Sequence, residues 1–220
     1  MIKPVHGTGA KGCYLIYQDD YVVHVRDGLV LRSIDELATH AAQLMRPAEN
    51  SRAHPVSDKW MIEELVLEDP DNLTPGRDLK FYTFYGEVLM ILEIVRNQGP
   101  NQYCYWSADG TRIDQPGSWD RQQFPGDGVT REQVAEVERI SREIPSPFMR
   151  IDMLKGQNEL VFGEFTPSTG EYELFNEEFD RILGEAWVRA ESRLLQDMLR
   201  GKRFDAFLAA TRFLDNSSEE

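Results

Sequence analysis

Residues 147–165, PFMRIDMLKGQNELVFGEF, contain two apolar segments on either side of a polar turn, and this pattern predicts a β-hairpin. Three charged residues, Arg150, Asp152 and Glu164, lie inside the predicted strands. Charged side chains are rarely buried unless they are paired, and side chains alternate between the two faces of a strand. The first question is therefore whether these three charges share one face.

The pairing register answers this question, because a shift of one residue moves every side chain of a strand to the opposite face. If the turn GQN contains an odd number of residues, the three charges lie together. The polar face then carries Arg150, Asp152, Phe162, Glu164 and Thr166. The other face carries Gly163 together with Met149, Ile151, Met153, Val161 and Phe165.

Two neighbouring carboxylates in a sheet need a compensating cation, since burying them unpaired is costly. Arg150 is one candidate, and it would make the cluster a structural ion pair. Magnesium is the other, because proteins bind it through one or two carboxylates completed by substrate phosphates. The hairpin alone leaves both interpretations open.

Composition limits the classes of partner. The chain has 220 residues and a formal net charge of -14, so it lacks the positive field that a broad nucleic-acid or anionic-membrane surface needs. Cys13 and Cys104 are too few for a disulfide framework and lack zinc-ligand spacing. No apolar run reaches the length of about 20 residues that a membrane span needs, and no signal sequence opens the chain. These features predict a cytoplasmic protein with no nucleic-acid or membrane partner.

The remaining pattern predicts an α+β protein. Strands are expected in the segments CYLIY, YVVHV, LVLR, WMIEELV and QYCYW, and a hairpin over 77–96 with its turn at Tyr85–Gly86. Capping-box spacings predict one helix from Ser33 to near Arg46 and another from Thr130 to about Glu143. Helices are expected over most of 176–214, with Asn176 as the N-cap.

Two further segments have both an ordinary and a functional interpretation. The start of the chain, MIKPVHGTGAKG, is either a glycine-rich turn or a loop whose backbone N–H groups, with Lys3, surround phosphate oxygens. The segment WMIEELV is either a core strand or a linker that pairs with a planar base through the Glu64 carbonyl and the Val66 N–H. Taken alone, neither segment shows whether its ordinary or its functional interpretation is correct.

In combination, these segments resemble the ATP-grasp enzymes, and most closely the TupA-like ATP-grasp family. The resemblance rests on Lys3 with the loop His6-Gly7-Thr8-Gly9, followed in order by IEELV, GRDLKF, RID and FGEFT, over about residues 1–187. It implies an ATP-grasp fold of two α+β lobes around an ATP cleft. The expected boundaries are an N-terminal lobe at 1–62, a C-terminal lobe at 63–187 and a helical extension at 188–220. The domain that usually precedes this fold is expected to be missing.

The resemblance also implies roles for individual residues. It assigns the ATP phosphates to Lys3 and to His6, Gly7, Thr8 and Gly9. It assigns the adenine pocket to Glu63, Glu64 and Val66, the ribose hydroxyls to Asp78, and the phosphates or the acceptor to Lys80 and Arg96. It assigns two magnesium ions to Asp152 and Glu164, and charge stabilisation during catalysis to Arg150 and Lys3. The third metal ligand is Thr166, where many ATP-grasp enzymes have asparagine.

The implied activity is that of an ATP-dependent carboxylate–amine ligase, which forms an amide through an acylphosphate. Its substrates would be a small carboxylate and an amine, on an amino acid, a peptide or a sugar acid. The alternative is a nucleotide-binding subunit or a degenerate homologue that needs a partner protein or a second subunit to supply the acceptor site.

Overall fold

The computed structural model describes residues 1–5, 10–46, 56, 58–96, 100–114, 116–170 and 172–210. The chain forms two compact units. One comprises Met1–Gly76, Arg96–Asn101 and Gly156–Asn158, and the other comprises Arg77–Val95, Gln102–Lys155 and Glu159–Glu220. Both mix helices with antiparallel sheets, which confirms the predicted α+β class. The first unit extends to residue 76, beyond the lobe boundary expected at residue 62.

The first unit is built on a five-stranded antiparallel sheet and one helix. Its elements are β1 (Ile2–Pro4), β2 (Tyr14–Gln18), β3 (Tyr21–His24), β4 (Val30–Leu31), α1 (Ile34–Met45), β5 (Trp60–Ile62), β6 (Leu67–Asp69) and β7 (Thr74–Pro75). The strand order is β4-β3-β2-β1-β5, and β6 and β7 form a separate pair. Helix α1 begins at the predicted cap, where the Ser33 side chain accepts from the Glu36 N–H. Its Leu37 and Ala41 pack with Tyr14 and Val22 of the sheet.

The second unit contains a larger sheet. Its elements are β8 (Arg77–Thr83), β9 (Val88–Val95), β10 (Gln102–Trp106), α2 (Arg131–Arg142), β11 (Met149–Lys155), β12 (Leu160–Thr166), a short 3-10 turn (Tyr172–Leu174) and α3 (Glu177–Leu199). The strand order is β10-β9-β8-β11-β12, and every neighbouring pair is antiparallel. The predicted helix starts are confirmed: Thr130 forms a capping box and the Asn176 side chain accepts from the Phe179 N–H. Helix α3 is continuous through residue 188, where a separate extension was expected to begin.

The β8–β9 turn lies where the sequence predicted it. Tyr85 and Gly86 have φ values of 42° and 85°. Two successive positive φ values are characteristic of the type I′ turn, whose twist matches that of the flanking strands. The Phe84 N–H donates to the Glu87 carbonyl at 2.7 Å and closes the turn.

Each face of the second sheet packs against a different helix. On one face, Leu79, Phe81, Ile91, Ile151 and Met153 pack against Val134 and Val137 of α2. On the other face, Tyr82, Met90, Leu92, Ile94 and Tyr105 pack against Ala186 and Ala190 of α3. Within the described ranges, no helix is long and apolar enough to cross a membrane.

A buried carboxylate lies on the α2 face of this sheet, at Glu93, which is fully buried. Its Oε1 accepts from Arg77 Nη1 at 2.7 Å, and its Oε2 accepts from Trp106 Nε1 at 2.8 Å and from the Gly128 N–H at 3.1 Å. A Cβ on Gly126 would lie 2.6 Å from Oε2. The carboxylate therefore holds the loop around Gly126 against the sheet, and the apolar pattern of LEIVR gave no sign of this network.

We expect Glu93→Gln to destabilise the protein, because Arg77 loses its buried counter-charge and keeps the exposed Asp127, and because the new amide N–H points toward the Trp106 and Gly128 donors. The free energy of unfolding should fall by about 3–5 kcal/mol, the usual range for breaking a buried ion pair. Urea unfolding followed by tryptophan fluorescence measures the change. The control is Glu136→Gln on the exposed side of α2, which should stay within about 0.5 kcal/mol of wild type. Equal losses in the two variants would contradict the role given to Glu93.

Candidate active site

The charged hairpin adopts the predicted register around its three charges. Asp152 lies directly opposite Glu164, and Arg150 lies directly opposite Thr166. Residues directly opposite each other in an antiparallel pair project to the same face. The prediction that these four side chains share one face is therefore confirmed.

The prediction was wrong for the turn half of the hairpin. Lys155 pairs with Leu160, so the turn consists of four residues, 156–159, instead of an odd number. A register shift between Asp152 and Met153 then leaves Gly163 as a bulge, and Phe162 pairs with Met153. Phe162 consequently lies on the face of Met153, where its ring is 4.6 Å from that of Phe165, and Val161 lies on the opposite face.

This bulge brings the two carboxylates together. Near the turn, Lys155 pairs with Leu160 and Met153 with Phe162. If this register continued without a bulge, Gly163 would lie opposite Asp152, and Glu164 would project to the other face. Glycine suits the bulge because a Cβ at residue 163 would lie 3.0 Å from the Asp152 carbonyl oxygen. Gly163 is thus a residue on which the site depends, although the sequence pattern predicts it only as part of the apolar face.

Strand β8 adds further charges to the same face. Lys80 lies opposite Asp152, and Tyr82 lies opposite Arg150. Lys80 Nζ is 2.6 Å from Asp152 Oδ2 and 3.1 Å from Asp78 Oδ2. The short alternation Asp78, Lys80, Tyr82 therefore directs one basic and one acidic side chain to the predicted site.

Arg150 binds the same carboxylate through two of its nitrogens. Its Nε donates to Asp152 Oδ1 at 2.7 Å, and its Nη2 donates to Asp152 Oδ2 at 2.7 Å and to Thr166 Oγ1 at 3.1 Å. Burial opposes the charged form of the guanidinium, but the bonds to Asp152 outweigh it and raise the pKa of Arg150 above its usual value. Asp152, at 4% exposure, is thus compensated by two cations, as the structural ion-pair interpretation requires.

The cluster also retains the donor atoms of a magnesium site. A carboxylate has about four lone-pair positions, and the three bonds from Lys80 and Arg150 leave one on Asp152 Oδ1. Glu164 is exposed, directly opposite, with the Thr166 hydroxyl on the same face. Magnesium typically uses one or two carboxylates and takes its other ligands from phosphates and water. Among the described residues, no group of three or more His, Cys, Asp or Glu side chains is arranged to hold a metal.

The first unit brings together Lys3, predicted to hold the ATP phosphates, and Glu63, predicted to line the adenine pocket and expected in the other lobe. Lys3 Nζ is 2.8 Å from Glu63 Oε1, and the Glu63 carbonyl accepts from the N-terminal amine at 2.7 Å. Residues 63–66 follow β5 without regular secondary structure, so the predicted strand WMIEELV is shorter than expected. The Val66 carbonyl accepts from the Gly76 N–H at 2.9 Å, which fixes the orientation of this segment.

The structure describes the positions of Arg96 and Glu64 but not those of the predicted phosphate-loop residues. His6, Gly7, Thr8 and Gly9 lie outside the described residues. Arg96 directly follows β9, is half-buried and belongs to the first unit. Glu64 is exposed beside Glu63 in the irregular segment.

A group of aromatic residues around Arg121, absent from the sequence prediction, lies in the second unit. The Arg121 guanidinium carbon is 4.8 Å from the centre of the Tyr103 ring and 4.7 Å from that of Trp119. Arg121 also donates from Nη1 to the Tyr105 hydroxyl. The alternation in QYCYW was the available signal, because it places Tyr103 and Tyr105 on one face of β10. Arg121, 15 or more residues away in the chain, carried no signal of its own.

Comparison with known proteins gives a family-level match. The family model described as TupA-like ATP-grasp matches residues 1–188. Two structures of the ATP-grasp ligase PsnB also match, one with a phosphomimetic variant of the minimal precursor, Mg and ADP, the other with the minimal precursor. Both are 13% identical over 53% and 54% of this chain, with TM-scores of 0.34 and 0.35. The matches span 32% and 36% of those chains, about a third of their length. No curated protein matches the chain.

We expect Gly163→Ala to disturb the hairpin, because the added methyl group presses on the Asp152 carbonyl. The free energy of unfolding should fall by about 1–3 kcal/mol, which is the usual cost of overpacking a tight site. The amide resonances of Asp152 and Glu164 should also shift in a ¹⁵N NMR spectrum. Gly170→Ala is the matched control, since a Cβ there meets nothing within 4 Å. If both variants retain wild-type stability and spectra, the bulge does not depend on glycine.

Proposed function

The chain belongs to the TupA-like ATP-grasp family, and on this premise we propose that it is an ATP-dependent carboxylate–amine ligase. The observation that carries the proposal is the pairing of Asp152 with Glu164 on one sheet face, beside Lys80 and Arg150. This arrangement combines carboxylates suited to magnesium with fixed cations suited to phosphate oxygens. Such chemistry relies on positioning and charge stabilisation.

The proposed reaction has two steps. A carboxylate oxygen of the substrate attacks the γ-phosphorus of ATP, the bond to the bridging oxygen breaks, and ADP leaves. The nitrogen of the second substrate then attacks the carbonyl carbon of the acylphosphate. Inorganic phosphate leaves, the amine loses a proton to solvent, and an amide bond remains.

Cations of the chain would compensate the charge that develops on the transferring phosphoryl group. Arg150 and Lys80 are suited to this role because both are held against Asp152 before any ligand binds. A fixed cation costs no reorganisation when the charge appears. Lys3, with His6, Gly7, Thr8 and Gly9, would hold the ATP phosphates, and Arg96 would face the phosphates or the acceptor.

Asp152 and Glu164, with the Thr166 hydroxyl, would hold two magnesium ions. When bound, these ions would neutralise phosphate charge and orient the γ-phosphoryl group. Glu63, Glu64 and Val66 would surround the adenine, and Asp78 would bind the ribose hydroxyls. Asp78 already contacts Lys80, so the proposed ribose and phosphate residues adjoin each other on β8.

Glu164→Gln separates a metal role from a structural one. Because Glu164 is exposed while Arg150 binds Asp152, we expect the ligand-free melting temperature to change little. A ligand that binds only the folded state at 100 times its Kd stabilises it by about 2.7 kcal/mol. We expect Mg-ATP to raise the wild-type melting temperature and the variant to lose most of that increase. The measurement is a thermal melt with and without Mg-ATP at millimolar concentration.

Glu159→Gln, in the exposed turn of the same hairpin, is the matched control and should keep the full response to Mg-ATP. A wild-type protein that gains no stability from Mg-ATP would contradict the nucleotide site itself. Equal responses in wild type and Glu164→Gln would contradict the metal role.

Ligase activity is tested by incubating the protein with ATP, magnesium and pools of amino acids, peptides and sugar acids. We expect ADP and phosphate to form together with a new amide, which mass spectrometry detects as a product lighter by one water than its two substrates. Stabilisation by Mg-ATP without any amide from these pools would instead support a nucleotide-binding subunit that needs a partner protein.

A further inference from the structure

Helix α3 has apolar residues on two opposite sides. Its inner side packs on the second sheet through four apolar residues, Leu183, Ala186, Ala190 and Leu194. Its outer side carries Val188, Leu195 and Leu199, whose side chains are 61%, 57% and 78% exposed. A helix that is apolar on both sides is normally covered on both, and a row of large exposed apolar side chains marks a contact surface.

The outer residues form one stripe along the helix. Gly184, Val188, Glu191, Leu195 and Leu199 repeat every three or four positions and therefore share a side. These five residues are named the α3 stripe. At a rise of 1.5 Å per residue, the stripe is about 22 Å long, which is long enough for a second helix to pack along it.

Within the described residues, nothing requires glycine at position 184. A Cβ there would meet nothing within 4 Å, and glycine is among the least favourable residues in a helix interior. The missing side chain leaves a shallow groove lined by Arg181, Gly184, Glu185, Val188 and Arg189. A groove of this kind admits a large side chain from a second helix, which gives the glycine a role.

The α3 stripe is complementary to a second copy of itself. Its midpoint lies between Glu191 and Ser192, so an antiparallel copy aligns Gly184 with Leu199 and Val188 with Leu195. A residue without a side chain then faces a large one at both ends of the pair. Contacts of this reciprocal kind are what a two-fold symmetric interface requires.

The charges at the helix ends favour the antiparallel orientation. The first turn carries three exposed acidic residues, Glu177, Glu178 and Asp180. The other end is followed by the exposed Arg200 and Arg203, of which Arg203 also contacts Asp205 at 3.3 Å. An antiparallel pair places each acidic start near the basic end of the other copy, whereas a parallel pair brings the two acidic starts together. Charges at the rim of an interface fix its orientation in this way.

We propose that the α3 stripe is the contact surface of a homodimer in which two α3 helices pack antiparallel across a two-fold axis. Leu199 of each copy enters the Gly184 groove of the other, and Val188 packs on Leu195. Glu191 is the charged residue of the stripe, and its carboxylate accepts from Trp187 Nε1 at 2.9 Å in the same chain. Both copies of this carboxylate lie near the axis, and one helix pair is a small interface. The dimer should therefore dissociate reversibly at micromolar concentration.

The first test is sedimentation equilibrium of the wild-type chain, from low micromolar to several hundred micromolar concentration. We expect the average mass to rise with concentration from that of the monomer toward twice that value. The monomer mass at every concentration, or growth beyond the dimer, would overturn the proposal. The monomer result includes the case in which residues 211–220 of the same chain cover the stripe.

The second test fills the groove with a neutral side chain. Gly184→Gln should raise the melting temperature of the dilute monomer, because glutamine is the better helix former. It should also raise the Kd of the dimer about tenfold or more, as the loss of a central interface contact does. Leu195→Glu should abolish the dimer, since each dimer contains the new charge twice. The matched control is Gln196→Glu, which adds the same charge at an exposed position about 100° around the helix and should keep the wild-type Kd. An unchanged Kd in Gly184→Gln would overturn the proposal even if Leu195→Glu fails to fold.

The third test determines the orientation with a short bismaleimide cross-linker. Antiparallel packing brings position 184 of one copy to position 199 of the other, at the usual helix separation of about 8–10 Å, and leaves identical positions about 22 Å apart. A mixture of Gly184→Cys and Leu199→Cys should therefore give a cross-linked dimer on a denaturing gel, and each variant alone should not. Wild type is the control, because it retains the buried Cys104 and the half-buried Cys13. Cross-linking of either variant with itself, or none in the mixture, would overturn the antiparallel dimer.

Discussion

Asp152 is a buried carboxylate, and the second unit is organised around the need to compensate it. A buried charge is tolerated only when it is paired and hydrogen-bonded, and here Lys80 supplies one cation from β8 and Arg150 supplies another from β11 itself. These contacts link two central strands through side chains as well as through the backbone ladder. They also hold two cations and a carboxylate in a fixed arrangement before any ligand arrives, which suits chemistry that depends on charge stabilisation.

The two faces of the central sheet carry different kinds of polar network. On the α2 face, Glu93 accepts bonds from Arg77, Trp106 and loop N–H groups and is fully buried, so its network stabilises the fold. On the opposite face, the partners of Asp152 remain partly exposed, and Glu164 directly across the hairpin is open to solvent. Glu93 and Asp152 are thus both buried, and the opposite face differs by the exposed carboxylate of Glu164 beside the ion pairs of Asp152.

Family membership and local geometry support the proposal in different ways. The family match covers residues 1–188, and it includes the proposed phosphate and adenine residues of the first unit together with the charged face of the second. The geometry adds that Lys80 and Arg150 both contact Asp152 on the charged face of the second sheet.

Local features of the sequence determined the helix caps at Ser33, Thr130 and Asn176, the β8–β9 turn and the presence of a charged hairpin, because each depends on residues within a few positions of one another. The resemblance of ordered motifs determined the family. Tertiary structure alone decided the bulge at Gly163, which compensates a four-residue turn and returns Glu164 to the face of Asp152. It alone also brought Arg77 to Glu93 and Arg121 to Tyr105. Those contacts join residues on different strands and loops, and strand periodicity fixes which face a side chain occupies without fixing its neighbour across the sheet.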